Sequence, residues 1–272
     1  EGVVVSVDKK AKKTYAPALY DLTTLQQEAN RRYGFSAKDT LNYMQSLYER
    51  HKVLTYPRTD SRYLTEDIVE TLEERVKACR GGSFSPVCSQ ILKKPIKGNK
   101  SFVDNRKVSD HHAIIPTEQG VRLADLEYGE RKIYEMVVSR FLAVLMPPFE
   151  YEQIDVGLDI GGEIFSAKGK IIKDLGWKTV YQDFSEDEDD ESDNPDFEKG
   201  QKLTIDHLSM TEGKTKPPVP FTEATLLAAM ENPVKYMDTM DKSLAKTLGE
   251  TGGLGTVATR ADIIEKLFNS FM

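Results

Sequence analysis

Residues 20–64, YDLTTLQQEANRRYGFSAKDTLNYMQSLYERHKVLTYPRTDSRYL, set the reading of this chain. Leu22, Leu25 and Ala29 share one face of a helix over 23–32, and Gly34 breaks it. Ser36 is placed to cap a second helix over 37–50, with Leu41, Met44, Leu47 and Tyr48 as its buried stripe. Helix, glycine turn, helix is the helix-turn-helix outline, which many packed helical hairpins share. The next stretch, LTYPRTDSRYL at 54–64, cannot continue the helix, because Pro57 fixes its own φ and drives Tyr56 extended. Two readings of Tyr56 are open. One is a packed tyrosine in a solvated loop, the commoner arrangement for this spacing. The other is a nucleophile: a phenol with a pKa of about 10 needs a base or a cation beside it. Arg58, two positions on, is a cation that never titrates and suits a phosphoryl oxygen.

Working outward, Thr65 is placed to cap a helix carrying Leu64, Ile68, Leu72 and Val76, and 80–105 reads as a loop rich in Gly, Ser and Pro. An amphipathic helix over 129–145 stops at Pro147 and Pro148. The period then changes to two. Ile154, Val156, Leu158 and Ile160 alternate, Gly161-Gly162 makes a hairpin turn, and 171–181 and 202–208 extend the sheet. The opening reads as a strand over 3–7 running into a basic connector, and Thr222 caps a last helical region. Helical, then β, then helical: the expected fold class is mixed α and β, multidomain.

At 272 residues the chain is long enough for two domains, and no apolar run is long enough to span a membrane. Cys79 and Cys88 form no CxxC pair, so they read as two reduced thiols in a cytoplasmic protein. The net charge of −7 argues weakly against a polyanion partner, because 183–198 alone holds ten acids and no base. Without that stretch the chain is at about +3, with basic clusters at 9–13 and at Lys93, Lys94 and Lys97. The acidic stretch itself reads as a disordered loop, so the DxD letters within DEDD at 187–190 are rejected as a metal site. GKT at 213–215 lacks the earlier glycine of a nucleotide-binding loop, since Leu208 stands there.

The 20–64 stretch strongly resembles the active-site region of type IA DNA topoisomerases, in the topoisomerase III branch. Two further motifs follow in family order: DHHAIIPT at 110–117, and GLGTVATRADIIEKL at 253–267. The resemblance covers essentially the whole chain and is weakest in the acidic stretch. It implies that Tyr56 cuts one DNA strand and becomes joined to the 5′ phosphate, without ATP. Arg58 would position the scissile phosphate, and His111 would assist the chemistry. Thr55, Asp60 and Arg62 would be DNA-facing neighbours, and Thr259 and Arg260 would contact phosphates in a single-strand groove. Val257 departs from the family, which usually has proline there.

The implied architecture is a helical domain holding Tyr56 over 17–146, and a β-rich arch over 147–216 with 1–16 as its opening strand and 183–198 as its acidic loop. Residues 217–272 would be part of a helical DNA-groove domain. In the family a Toprim domain supplies a glutamate, a DxD pair and Mg²⁺; no counterpart occurs here, so no metal is expected on this chain's own residues. The expectation is a piece of a longer enzyme that is inactive alone in relaxing DNA, monomeric, and cytoplasmic or nucleoid-associated. Its partner would be single-stranded DNA, with a helicase or single-strand-binding protein in the cell. The alternative is a non-catalytic DNA-binding or interaction module of the same fold.

Overall fold

The computed structural model describes residues 1–181, 197–237, 243, 246–248 and 251–271. Most of the acidic stretch 183–198, DEDD included, lies outside the described residues. The chain divides into two compact units, one of Glu1–Ala16 with Met146–Pro218 and one of Pro17–Leu145 with Val219–Met272.

The first unit is a four-stranded antiparallel sheet in the order β3-β2-β1-β4, formed by β1 (Gly2–Thr14), β2 (Phe149–Ile160), β3 (Glu163–Asp174) and β4 (Lys202–Leu203). The alternation along β2 sets the register: Val7 faces Val156 and Lys9 faces Ile154 across β1, while Val156 faces Ala167 across β3. Val4, Ile154 and Val156 form its buried core, with Val7, Leu158 and Ile171 packed against them. The basic connector of the sequence reading is strand: Lys9, Lys10, Lys12 and Lys13 all pair within β1. A sheet with one solvated face admits lysines on that face. Residues 171–181 leave the sheet after Asp174 and wind into a 3₁₀ segment, Gly176–Tyr181, and of 202–208 only β4 pairs.

The second unit is helical. Helix α1 (Leu22–Tyr33) starts at Asp21, whose carboxylate accepts from Thr24 N, and ends at Gly34. Helix α2 (Ala37–Glu49) is capped by Ser36 Oγ, which accepts from Asp39 N. Leu22, Leu25, Ala29, Leu41, Met44 and Leu47 are all buried. The helix expected after Thr65 is split into a 3₁₀ segment, Glu66–Thr71, and a short α3 (Leu72–Ala78); Leu64 instead bridges Val103. The Gly, Ser and Pro-rich 80–105 stretch contains α4 (Ser85–Ile91), which buries Val87, Cys88 and Ile91. Pro86 at its start suits a first helical turn, where a missing N–H costs nothing. Both thiols are free and buried, and burial pushes both up, Cys88 to about 11.

Helix α5 (Tyr128–Leu145) is the long amphipathic helix, and Ile133, Val137 and Phe141 are its most buried face. Two later helices, α6 (Glu223–Glu231) and α7 (Arg260–Phe271), bury Leu227, Met230, Ala261 and Ile264 around Ala37. The α1–α2 turn and α6 cap each other across the chain. Asn30 Oδ1 accepts from Ala224 N at 3.1 Å, and Glu223 Oε2 accepts from Ala37 N at 2.7 Å.

Candidate active site

The 54–64 segment is an irregular loop laid against 110–117. Thr55 N donates to Ile115 O at 3.0 Å, Ile115 N donates to Thr55 Oγ1 at 3.0 Å, and Leu54 bridges Pro116. Farther along, Thr59 Oγ1 donates to His111 O at 2.8 Å, and Ala113 N donates to Tyr63 O at 2.9 Å. Leu22 N donates to Thr59 O, so the first turn of α1 is part of the same frame. Thr55 and Thr59 are therefore braces; the Thr55 hydroxyl, expected to face DNA, is engaged with backbone at both 113 and 115.

Tyr56 sits between two rings. His111 lies over it, centroids 4.2 Å apart at 33°, and Tyr48 meets it edge-on at 5.6 Å and 84°. Tyr56 and His111, separated by the whole α3–α4 region in sequence, are thus in direct contact. Tyr48 belongs to this site and not to the core: at the end of α2 it remains 38% exposed, against the expectation that it closes the buried stripe. Its neighbour Leu47 fills that stripe, and one helix step of about 100° turns Tyr48 to the rim.

His112 plays no such part. Its Nδ1 lies 2.7 Å from Ala113 O, and burial lowers its pKa, so it stays neutral at pH 7. Arg58 is half-buried, and its Nε is shielded from solvent with no hydrogen-bond partner. A shielded guanidinium donor with no acceptor is rare enough to ask for a reason, and this one stands two residues from Tyr56. Asp262, in the first turn of α7, is held below the ordinary carboxylate range chiefly by Lys38, with a weaker pull from Arg58.

Asp60 is exposed. Arg62 Nε donates to the buried Asp21 at 2.6 Å, so it supports the cap of α1. The third motif behaves differently from the expectation. Arg260 is 4% exposed, and each of its three nitrogens donates to the protein: Nε to Leu254 O at 3.1 Å, one terminal nitrogen to Thr23 Oγ1 at 3.1 Å, and the other to Gly252 O at 2.6 Å. Glu231 stands 3.9 Å away, its pKa raised by burial and then by Asp21. Arg260 thus clamps the 252–256 loop, bonding the carbonyls of Gly252 and Leu254 where a phosphate contact was expected. Gly253 lets that loop close, because a Cβ there would come within 2.2 Å of Met230 O at a φ of +90°.

Thr259 is exposed, but its hydroxyl accepts from Thr256 N at 2.9 Å and meets Thr256 Oγ1 at 3.1 Å. The same threonine pair, Thr222 with Thr225, closes a capping box at α6. Both pairs follow a T-x-x-T spacing that cap rules detect. Asp21 before α1 was legible by the same rules, whereas nothing in the sequence tied it to Arg62.

Among the described residues no three His, Cys, Asp or Glu side chains converge to hold a metal, and no helix is long and apolar enough to cross a membrane. The sequence model of the DNA topoisomerase family matches residues 1–270. DNA topoisomerase 3 of Bacillus thuringiensis strain Al Hakam is 60% identical over 274 residues, which is 99% of this chain and 38% of that protein. DNA topoisomerase 3 of Bacillus subtilis strain 168 is 55% identical over 276 residues, 100% of this chain and again 38% of the relative. The chain therefore spans about two fifths of the length of these relatives. Full-length topoisomerase I from Thermotoga maritima shares the fold, with a TM-score of 0.61 at 22% identity, over 98% of this chain and 40% of that one. With the family's sequence model running over nearly every residue and the relatives more than half identical throughout, this chain belongs to the DNA topoisomerase family.

Proposed function

We propose that this chain is the nucleophile-bearing part of a type IA enzyme that cuts and rejoins one DNA strand. The observation that carries the reading is the His111 ring lying 4.2 Å over Tyr56, which unites two motifs distant in sequence. In the proposed step, the Tyr56 Oη–P bond forms as the P–O3′ bond breaks. The phenol gives up its proton and the departing 3′ oxygen takes one, so protons balance and one phosphodiester replaces another. Religation is the reverse and needs no ATP.

Arg58 supplies its unpaired donor to a non-bridging oxygen, where charge accumulates in the transition state. His111 and Tyr48 hold the phenol ring in line for attack. In the same reading the helical unit presents the tyrosine and the sheet unit supplies part of an arch. The described residues hold no site fitted to Mg²⁺, and no step here runs through that ion. Single-stranded DNA as substrate, a helicase or single-strand-binding protein as partner, and a cytoplasmic, nucleoid-associated place in the cell follow from this reading.

Covalent capture tests it. The chain is combined with a Toprim segment and Mg²⁺, and a single-stranded oligonucleotide labelled at its 3′ end is added. A denaturing gel is expected to show label at this chain's mass, and none for Tyr56→Phe, which keeps DNA binding. A labelled band that persists in Tyr56→Phe would assign the nucleophile elsewhere. Binding with no capture, under conditions in which a Bacillus relative captures the strand, would favour the non-catalytic module.

A further inference from the structure

Residues 93–107, KKPIKGNKSFVDNRK, are the most basic exposed stretch of the helical unit, and the site above uses none of their side chains. Lys93, Lys94, Lys97 and Lys100 are all exposed and make no ion pair among the described residues. The other helix-unit lysines with acidic neighbours are paired: Lys77 with Glu73 and Glu74, Lys38 with Asp262, Lys132 with Glu135. Within 93–107 Asp104 is the lone acid, and Arg106 occupies it at 3.1 Å. Scattered surface lysines need no explanation. Four unpaired ones within eight positions, in a chain of net charge −7, are a different arrangement.

The stretch is also pinned. Phe102 is buried at 1% exposure, and both Phe102 N and Val103 N donate to Asn99 O. Gly98 lies so close to Val69 that a Cβ would come within 2.9 Å of its Cγ2. The lysines therefore project from a fixed turn, which lowers the ordering cost of meeting an extended ligand.

Its far end joins the Tyr56 loop directly. Leu64 N donates to Phe102 O at 2.8 Å, Asp104 N to Leu64 O at 3.1 Å, and Ser61 Oγ to Lys107 O at 2.8 Å. Lys107 Nζ sits 4.2 Å over the Tyr63 ring and bonds its hydroxyl at 2.9 Å. The segment that carries Tyr56 is thus hydrogen-bonded at Ser61 and Leu64 to the far end of the basic stretch.

We propose that 93–107 is a second binding surface for a DNA phosphodiester backbone, receiving the strand where it runs beyond the Tyr56 site. It rests on the reading of Tyr56 as acting on DNA, and its ligand chemistry is phosphate and sugar without base recognition. Phosphates along a strand repeat at a spacing that lysine stems can follow, and each neutralised phosphate releases counterions.

The test is the salt dependence of DNA binding by the whole chain, measured by fluorescence anisotropy on an oligo-dT strand and on a duplex. Replacing Lys93, Lys94, Lys97 and Lys100 together by Ala should reduce the slope of log K against log salt by roughly 0.7 for each single-strand phosphate that is no longer neutralised. The same four positions changed to Arg should restore it. A reduction confined to oligo-dT assigns the surface to the cut strand, and a reduction on both ligands assigns it to backbone of either form. If the wild-type chain binds DNA and the Ala version keeps its slope, the surface proposal fails while the Tyr56 reading stands, and the lysines serve an acidic protein or solvent. If the wild-type chain alone binds no DNA, the surface proposal fails, and the Tyr56 reading is decided by capture with the Toprim segment. Tyr56-dependent capture of an oligonucleotide too short to leave the site should be equal in all versions.

Discussion

Arg58 and Arg260 belong to motifs of the same apparent kind, each an arginine within three residues of a threonine in an irregular segment, and the structure treats them oppositely. Arg58 is half-buried with its Nε unpartnered. Arg260 is nearly inaccessible, with protein acceptors on Nε and both terminal nitrogens. A buried donor left unsatisfied costs about 1–3 kcal/mol, so each one in a fold asks for a physical reason. At 4% exposure, little of the Arg260 guanidinium is open to a phosphate. The same residue type in two family motifs is therefore left with an open donor in one case and is an internal clamp in the other.

The contrast is sharpest under substitution. Arg58→Ala should lower the rate of covalent capture by roughly 10²–10³, the usual cost of removing one transition-state donor. Its unfolding free energy should move by less than about 1 kcal/mol, because the native state loses an unsatisfied group rather than a network. Single-turnover capture and urea denaturation of the same preparations read the two quantities. A large stability loss with unchanged capture would make Arg58 a second clamp.

Arg260→Ala should do the reverse. It leaves Arg62 as the remaining cation acting on Glu231 and Asp21, and it frees the carbonyls of Gly252 and Leu254. A loss of about 3 kcal/mol is expected, as for breaking a buried charged network. Arg260→Lys should recover little, since an ammonium cannot reach three acceptors set apart by a planar fork. Urea midpoints decide. An Arg260→Ala chain of wild-type stability that has lost DNA affinity would restore the phosphate-contact expectation.

The same division explains what the sequence made legible. The helical periods of 23–32, 37–50 and 129–145 follow from local side-chain spacing, and the helices stand within a residue of it, while the alternation of 154–160 is the later part of a strand that begins at Phe149. The Tyr56 loop was legible as a loop because proline forbids helix there. Partnerships across the chain were not legible. Arg62 with Asp21, Arg260 with Thr23 and Asn30 with Ala224 join residues that only the fold brings together. Tyr48 was misread because one helix step separates a buried stripe from its rim, less than periodicity alone resolves. The loop reading of 80–105 missed α4 since its seven residues are too few to show a period.

A third group lies between the two arginines in character: Glu130, 3% exposed on α5, beneath the turn that leads from α2 into the Tyr56 loop. Burial alone would push its carboxyl up. Ser46 Oγ donating at 2.5 Å, Glu127 N donating at 3.0 Å and the His51 ring 3.3 Å away outweigh burial and hold it below its ordinary value of 4.5. His51 is half-buried here, against this carboxylate. The sign follows from linkage: with the folded pKa depressed, the unfolded chain takes up the proton first as pH falls. Glu130 therefore stabilises the fold fully above about pH 4.5, and that contribution fades as pH drops through the folded value. Glu130→Gln keeps the shape and an acceptor oxygen but removes the charge. It should cost about 1 kcal/mol at pH 7 and flatten the acid limb, a smaller effect than Arg260→Ala. Urea midpoints of both chains from pH 7 down to pH 3 would show the curves converging in acid; parallel curves would mean that the ionised Glu130 contributes nothing that its amide does not.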